Sequence, residues 1–487
     1  MTTATELRID LARSLRAGAR AIVVATDDEV RAIGVLEDVG RELGWSVHTW
    51  SAAAGIDGAG SPRPIAELLD RLRADREDAL WILLDLGTLL DTAVLRRCRE
   101  LAQRVVGPSI VLVERSPGPL LARVPELVAL ELAPPDAAEL AQRLRSIALT
   151  LQHSGFPDAV ARLAQASDAI VDAASGLPSF AYERILAEAV LAGSLDTAAI
   201  VAHLRAEKPR VLGRDGLLDT IASSDTHSLG GLAHLKRWLA LRKVSFEPAA
   251  MAAGIAPARG CLLVGVQGCG KSLAARVCGH ELGLPLVRLE PGRLFGGTVG
   301  ESEANLRRAL ADVDRLAPVV LWIDELDKGF AGAEGSASDA GTAARVLGGL
   351  LTWLQERTRP CFVVATANRV DLLPAELLRR GRFDEIFFID LPDAESREQI
   401  AHLHWRGPIT TDAWAPFGSV ARGAEGYSGA ELAAALGEAR LVAYAERREV
   451  GADDFAKALA ASIPLSVLRA EDVGALRRWA SGRARPA

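Results

Sequence analysis

The sequence is poor in several residue types and lacks several common signals. Among 487 residues there are two methionines, three tyrosines and only six lysines, although lysine and arginine together number 56. A lysine at a special position therefore carries more information here than in a lysine-rich chain. The five cysteines (Cys98, Cys261, Cys269, Cys278, Cys361) never fall at CxxC spacing. That excludes a disulfide framework and a cysteine zinc site, and points to reduced thiols in a cytosol-like compartment. The histidines, His402 and His404 included, show no metal-ligand spacing with cysteines or acids. No apolar run approaches the roughly 18 residues needed to cross a bilayer; even Ala79-Leu80-Trp81-Ile82-Leu83-Leu84 meets Asp85 at once. The opening residues Met1 to Asp10 lack the basic-then-apolar order of a signal peptide. A cytoplasmic protein with no membrane partner is expected. Basic excess is missing as well. Aspartate and glutamate total 63, for a formal charge of −7 and a pI near 5.8. A general polyanion binder is normally basic, so nucleic acid is not an expected partner.

What is present is an ordinary globular mixture, 49 % apolar and 24 % charged, which excludes a chain disordered throughout. Two halves show the same order of elements. In the second, Gly260 to Gly265 is a short apolar run bounded by glycines, a buried strand, with a helical stretch after Lys271. The strand Val319 to Ile323 follows, with Pro318 at its mouth, where a missing N–H is tolerated. A glycine, serine and alanine loop, a helical stretch and the strand Phe362 to Ala365 come next. Strands alternating with helices imply a parallel sheet. From about Asp393 the pattern is helical only, as in a small lid. The first half repeats the layout with strands at 21–24, 79–85 and 110–113. Val24 to Asp85 spans 61 positions, and Val264 to Asp324 spans 60. Ser175-Gly176-Leu177-Pro178-Ser179-Phe180 echoes Glu425-Gly426-Tyr427-Ser428-Gly429-Ala430. This reads as a duplicated α/β-plus-lid unit, or as two α/β domains that look alike only at this coarse level. Residues 1–150 form a first α/β domain and 151–227 a helical, lid-like region and linker, with the stretch from Glu207 to His227 joining the two units. Residues 228–392 form a second α/β core, and 393–487 a helical lid and a basic tail, frayed and solvated.

The chemistry lies in Gly265-Val266-Gln267-Gly268-Cys269-Gly270-Lys271-Ser272, which fits G-x-x-x-x-G-K-[ST] between a strand and a helix. Glycines let successive backbone N–H groups turn inward around phosphate oxygens, and the helix N-terminus adds positive potential. Lys271 is expected to reach the β- and γ-phosphates, and the Ser272 hydroxyl to ligate Mg²⁺. Leu273 follows on the helix and joins the expected nucleotide contacts. Val319 to Ile323 ends in Asp324-Glu325, fifty-three positions after Lys271. An acid at the C-terminal end of a buried parallel strand faces the ligand crevice. Asp324 would hold Mg²⁺, mostly through water, and Glu325 would polarise the attacking water. Asn368, after the next apolar strand, could position that water, or could be a turn residue. Arg379, Arg380 and Arg382 around Gly381 are a solvated basic turn or, with phosphates already neutralised by Lys271 and Mg²⁺, groups that reach a neighbour's nucleotide. Cys269 reads as a small tolerated side chain, since the loop binds through its backbone.

Together with Leu229-Gly230-Gly231, Gly300-Glu301-Ser302-Glu303-Ala304-Asn305-Leu306-Arg307, Ala367-Asn368-Arg369 and Arg379-Arg380-Gly381-Arg382-Phe383-Asp384, these residues resemble the AAA ATPase family, in the branch of the FtsH proteases and the valosin-containing-protein type of unfoldase. Arg293 to Glu303 and Gly381 to Phe388 look like the uncharacterised AAA proteins of algal chloroplast genomes and cyanobacteria, which carry a similar long N-terminal region. The resemblance implies a P-loop NTPase sheet with a helical lid, preceded here by a degenerate AAA-like α/β-plus-helical unit. It implies Mg-dependent ATP hydrolysis in a ring-forming homo-oligomer, usually a hexamer, that remodels or regulates an unidentified protein client. It assigns Gly230 to the nucleotide site and Gly429 and Ala430 to a lid closing over adenine. Asn368 becomes the first sensor, and Arg379 and Arg382 fingers acting in trans. Two departures stand out. The position that presents a pore aromatic in threading members is Thr298. The first half offers Ala25-Thr26-Asp27-Asp28-Glu29-Val30 where a phosphate loop would be, and Leu86 follows Asp85 where a second acid would stand. The first unit is therefore expected not to hydrolyse ATP. Other readings are a slow-turnover, ATP-gated binding or assembly module, or a nucleic-acid-acting AAA machine.

Overall fold

Short runs rich in valine, leucine and isoleucine form the strands of two separate sheets. A computed structural model describes residues 2–58, 64–84, 86–89, 91–115, 117–154, 156–191, 196–213, 216–221, 232–296, 300–331, 337–379, 381–405 and 411–487. The chain divides into a first unit, Met1–Val211, and a second, Leu212–Ala487. The first contains β1 (Ala21–Ala25), β2 (Ser46–Ser51), β3 (Gly55–Ile56), β4 (Ala79–Leu84), β5 (Ser109–Glu114) and β6 (Val128–Glu131). The second contains β7 (Leu218–Ile221), β8 (Gly260–Gly265), β9 (Leu286–Leu289), β10 (Val319–Ile323), β11 (Cys361–Ala367), β12 (Glu385–Ile389) and β13 (Arg485–Pro486).

The first sheet runs β3-β2-β4-β5-β1-β6 and the second β13-β12-β8-β11-β10-β9-β7. Five strands in each are mutually parallel. Counted in chain order, both sets lie side by side as fifth, first, fourth, third, second. The repeat read from spacing is thus a repeat of topology. The extra strands sit at the edges. β3 is antiparallel to β2, β7 is antiparallel to β9, and β13 is parallel to β12.

Alternation along each central strand explains why both sheets are covered on two faces. In β1, Ala21 and Val23 enter one core, and Ile22 and Val24 the other. In β8, Leu262 and Val264 pack with Leu321 and Val363, while Cys261 and Leu263 pack with Trp322 and Phe362. A helical cluster follows each sheet. Helices Ala137–His153 and Ser179–Leu191 share a core around Leu144, Tyr182 and Ile185. Helices Ala394–His404, Gly429–Ala445 and Ala452–Ala460 share one around Phe417, Leu436 and Phe455.

Three expectations change. The second unit begins at Leu212, ahead of the expected residue 228, because β7 from the supposed linker pairs with β9. Residues 393–487 are not all lid. Helix Ala470–Ala480 places Val473 and Leu476 in the core of the second sheet. The basic end is not frayed either. Arg485–Pro486 adds a strand to β12, and the Ala487 N–H donates to the Phe388 carbonyl at 3.1 Å. Among the described residues, no helix is long and apolar enough to cross a membrane.

Candidate functional site

The loop from Gly265 to Gly270 leaves the C-terminal end of β8 and enters helix Lys271–Leu282. Backbone geometry explains its glycines. Gly268 and Gly270 have φ of +78° and +91°, in the region that side chains rarely adopt. A Cβ on Gly265 would lie 2.1 Å from the Ile389 carbonyl oxygen, and one on Gly268 would lie 3.0 Å from Ser428 Oγ. Val266 is buried, Gln267 exposed, and Ser272 and Leu273 lie exposed on the first turn of the helix. Lys271 is buried, and its ammonium donates to the carbonyls of Gly265 and Val266, each at 2.8 Å. Burial lowers its pKa from 10.5 to about 8, opposed through space by Cys269 and by Asp327, Asp324 and Glu325. That is a cation held dry and ready for anionic oxygens. Burial drives the neighbouring Cys269 thiol the other way, up to about 12, so it carries no thiolate character.

Asp324 and Glu325 follow β10 directly, and β11 lies beside it. Thr366, a buried hydroxyl in β11, links both acids. It donates to Asp324 Oδ1 at 2.8 Å and accepts from the Glu325 N–H at 2.9 Å. Glu325 has φ of +50°, a left-handed backbone conformation that this bond helps to hold. The Glu325 carboxylate accepts from Lys328 Nζ at 2.6 Å in a largely solvated pair, which can release at little cost. Asn368 is half-buried just beyond β11, whose last residue, Ala367, pairs with Val264 at the mouth of the loop. The next amide, of Arg369, donates to Asp327 at 3.0 Å.

Arg379 and Arg382 stand elsewhere. The Gly381 carbonyl accepts from Arg259 at 2.8 Å, and Asp384 caps the amides of Arg259 and Gly260 at 2.7 and 3.1 Å. The arginines therefore flank the start of β8, whereas the phosphate-type loop leaves its end, about 17 Å away for a strand of this length. Arg379 is exposed; Arg382 is half-buried, and its Nε has no hydrogen-bond partner. Gly230, Arg380, Thr298 and Asp85 lie outside the described residues.

The lid closes on the loop through its own capping box. Ser428 and Glu431 cap helix Gly429–Ala445 reciprocally, and the Ala430 N–H donates to the Gly268 carbonyl at 3.1 Å. Between lid and sheet lies a cleft of about 500 Å³, lined by Gly268 to Gly270, Leu273, Ile389, Ile400, Gly429 and Ala430, and also by Pro486 and Ala487. That falls within the roughly 300–1,000 Å³ of small-molecule sites. An apolar cleft beside a glycine cradle with a dry lysine fits a nucleoside triphosphate. The hydroxyl of Ser272 and the carboxylate of Asp324 are the hard oxygen donors that suit Mg²⁺.

Comparisons with known proteins identify the family of each unit. The AAA family model (ATPase family associated with various cellular activities) matches residues 261–391, and the model of the SpoVK-like AAA ATPase N-terminal domain matches residues 7–123. An uncharacterized AAA domain-containing protein, ycf46, of Trieres chinensis is 34 % identical over 478 residues, covering 94 % of this chain and 93 % of that protein. The chain belongs to the AAA ATPase family. A second ycf46 protein, from Guillardia theta, is 35 % identical over 427 residues, covering 86 % of this chain and 82 % of its own length. The cell division cycle protein 48 homolog of Archaeoglobus fulgidus is 34 % identical over 224 residues, 45 % of this chain and 30 % of that protein. This AAA chain therefore resembles the algal plastid proteins along nearly its full length, and the protein 48 homolog over less than half.

The first unit carries the same frame with opposite chemistry. With Val24 set against Val264, Asp28 stands where Gly268 does, and Arg31 where Lys271 does. Asp28 is buried, and its carboxylate accepts from the Ser179 N–H at 2.8 Å, at the start of helix Ser179–Leu191. Arg31 is buried as well and donates to Glu139 at 2.9 Å and to the Ala133 carbonyl. Asp27 pairs with Arg115 at 2.6 Å. A carboxylate thus occupies the position of the phosphate cradle and ties core to helical cluster.

Proposed function

We propose that this AAA protein binds ATP with Mg²⁺ between its loop and lid and hydrolyses it, and that it works as a ring, in the family's usual way a hexamer, acting on a protein client. The arrangement of Lys271, Asp324, Thr366 and Glu325 at the ends of three neighbouring strands carries this reading. Lys271 exchanges its two carbonyl partners for phosphate oxygens. The backbone amides of residues 268–272 and the helix N-terminus bind and orient the triphosphate. Ser272 and Asp324 would hold Mg²⁺, which would supply charge neutralisation to the triphosphate. Glu325 leaves Lys328 and takes a proton from the attacking water, which Asn368 helps to place. Leu273, Gly429 and Ala430 enclose the nucleoside. Arg379 and Arg382, far from their own loop, stabilise transition-state charge at the neighbouring subunit's nucleotide. The compartment is reducing and aqueous, a cytoplasm or, as the algal relatives suggest, a plastid stroma.

The test is phosphate release by the purified chain. Wild type is expected to turn over ATP, while Glu325→Gln retains binding and loses at least about 100-fold in rate. Equal rates for the two proteins would remove catalysis from the reading. A second reading, a slow ATP-gated assembly module, is favoured by the first unit, where the buried Asp28 carboxylate fills the place of the cradle. Under it, wild-type turnover is slow and unaffected by unfolded protein, yet ATP still drives assembly.

A further inference from the structure

The last residues of the chain have no role in the site so far, yet three observations tie them to it. First, β13 extends the second sheet beyond β12, with Phe387 opposite Arg485 and Phe388 opposite Pro486. Second, the register is pinned at two points. Arg485 pairs with Glu385 at 2.7 Å, and the Ala487 N–H donates to the Phe388 carbonyl at 3.1 Å. Third, β12 ends at Ile389 on the floor of the cleft, so Pro486 and Ala487, alongside it, form part of the cleft wall. The helix that leads into the strand is anchored to the same rim. Arg477 Nε donates to both oxygens of Asp390, at 3.0 and 2.9 Å, and Asp390 lines the cleft.

We propose that segment 485–487 is one wall of the nucleoside subsite, and that its docking on β12 sets how tightly the base and sugar are held. The segment is an edge strand attached by backbone pairing on one side only, so its hold on the sheet is weaker than that of any central strand. Its apolar residues close a cleft whose other walls are sheet and lid. A nucleoside in the cleft contacts this wall only while the strand is docked. Docking of the segment and binding of the nucleoside therefore strengthen each other.

The inference rests on the proposed ATP site, and the experiment separates the two. Binding of Mg·ATP and of inorganic tripolyphosphate with Mg²⁺ is measured by calorimetry on the full chain. Tripolyphosphate uses the loop and Lys271 but has no base or sugar. Two variants perturb the wall differently. Ala487→Trp adds bulk to it, and Arg485→Glu puts like charges opposite each other at Glu385. Each is expected to weaken ATP by at least about fivefold while leaving tripolyphosphate within about twofold. The charge swap Arg485→Glu with Glu385→Arg is expected to recover ATP affinity to within about twofold of wild type. Unchanged ATP affinity in both single variants overturns the proposal. So does a parallel loss of ATP and tripolyphosphate, which would place the effect on the loop. Wild-type protein that binds neither ligand would instead overturn the ATP site itself.

Discussion

At the scale of single residues, Lys271 combines two demands that oppose each other. Its ammonium must be dry to act strongly on phosphate, and dryness costs it its proton. Without phosphate its pKa is about 8, against 10.5 for a solvated lysine. The unfolded chain therefore binds more protons between these values. The destabilisation from this group is full below pH 8 and is relieved as pH rises toward 10.5. Phosphate oxygens favour the charged form, so at pH 9 ATP binding should draw close to one proton from solvent. Calorimetric heats measured in two buffers of different ionisation enthalpy are expected to diverge at pH 9 and to converge at pH 6.5. Equal heats at pH 9 would mean that Lys271 is already charged in the free protein. The lysine and both acids are legible in the sequence, because motif and spacing mark them. Thr366 is not. The one available signal is a hydroxyl inside the otherwise apolar strand Cys361–Ala367, and its purpose emerges only when β11 lies beside β10.

At the scale of elements, apolar runs and glycine boundaries locate β1, β4, β5, β8, β10 and β11 to within a residue or two, whereas β2, β6, β9 and β12 are not marked by them. β8 and β10 match the expected bounds, and β11 extends Phe362–Ala365 at both ends. The edge strands escape such reading. Leu218–Ile221 and Arg485–Pro486 have no apolar period of their own and become strands because an existing edge offers them hydrogen bonds. The same limit applies to Ala25 to Val30, whose acids exclude a phosphate cradle but do not announce a latch. The bond from the Ser179 N–H to Asp28 is buried at both ends, so breaking it should cost about 1–3 kcal/mol locally. Hydrogen exchange over residues 176–191 is expected to speed up roughly tenfold or more in Asp28→Ala and much less in Asp28→Asn, which retains an acceptor. Unaltered exchange in Asp28→Ala would show that the helical cluster is held without it. Nucleotide binding by the first unit is not expected in either variant, because Arg31 remains committed to Glu139 and the Ala133 carbonyl.

At the scale of the whole molecule, one topology is used twice with opposite outcomes. The second unit leaves a cradle of glycines open to a ligand, and the first fills the same place with its own carboxylate. The proposed nucleotide machinery therefore lies in residues 212–487, and two of the residues proposed for it stand at the far end of β8. Arg379 and Arg382 flank the start of β8, a strand's length from the loop at its end, so they cannot complete the site of their own chain without rebuilding the sheet. This predicts complementation between two inactive proteins. Glu325→Gln subunits retain their arginines but lack the acid that accepts the proton. Arg379→Ala/Arg382→Ala subunits retain loop and acid but have no arginine to lend. In an equal random mixture, about one interface in four joins an intact loop to intact arginines. Each protein alone should release phosphate at background rates, and the mixed ring should regain a measurable fraction of wild-type turnover. Native mass spectrometry of the same sample establishes that the two chains share a ring. Co-assembled chains that remain inactive would show that the arginines do not act across the interface, and the basic turn would then be read as solvated surface.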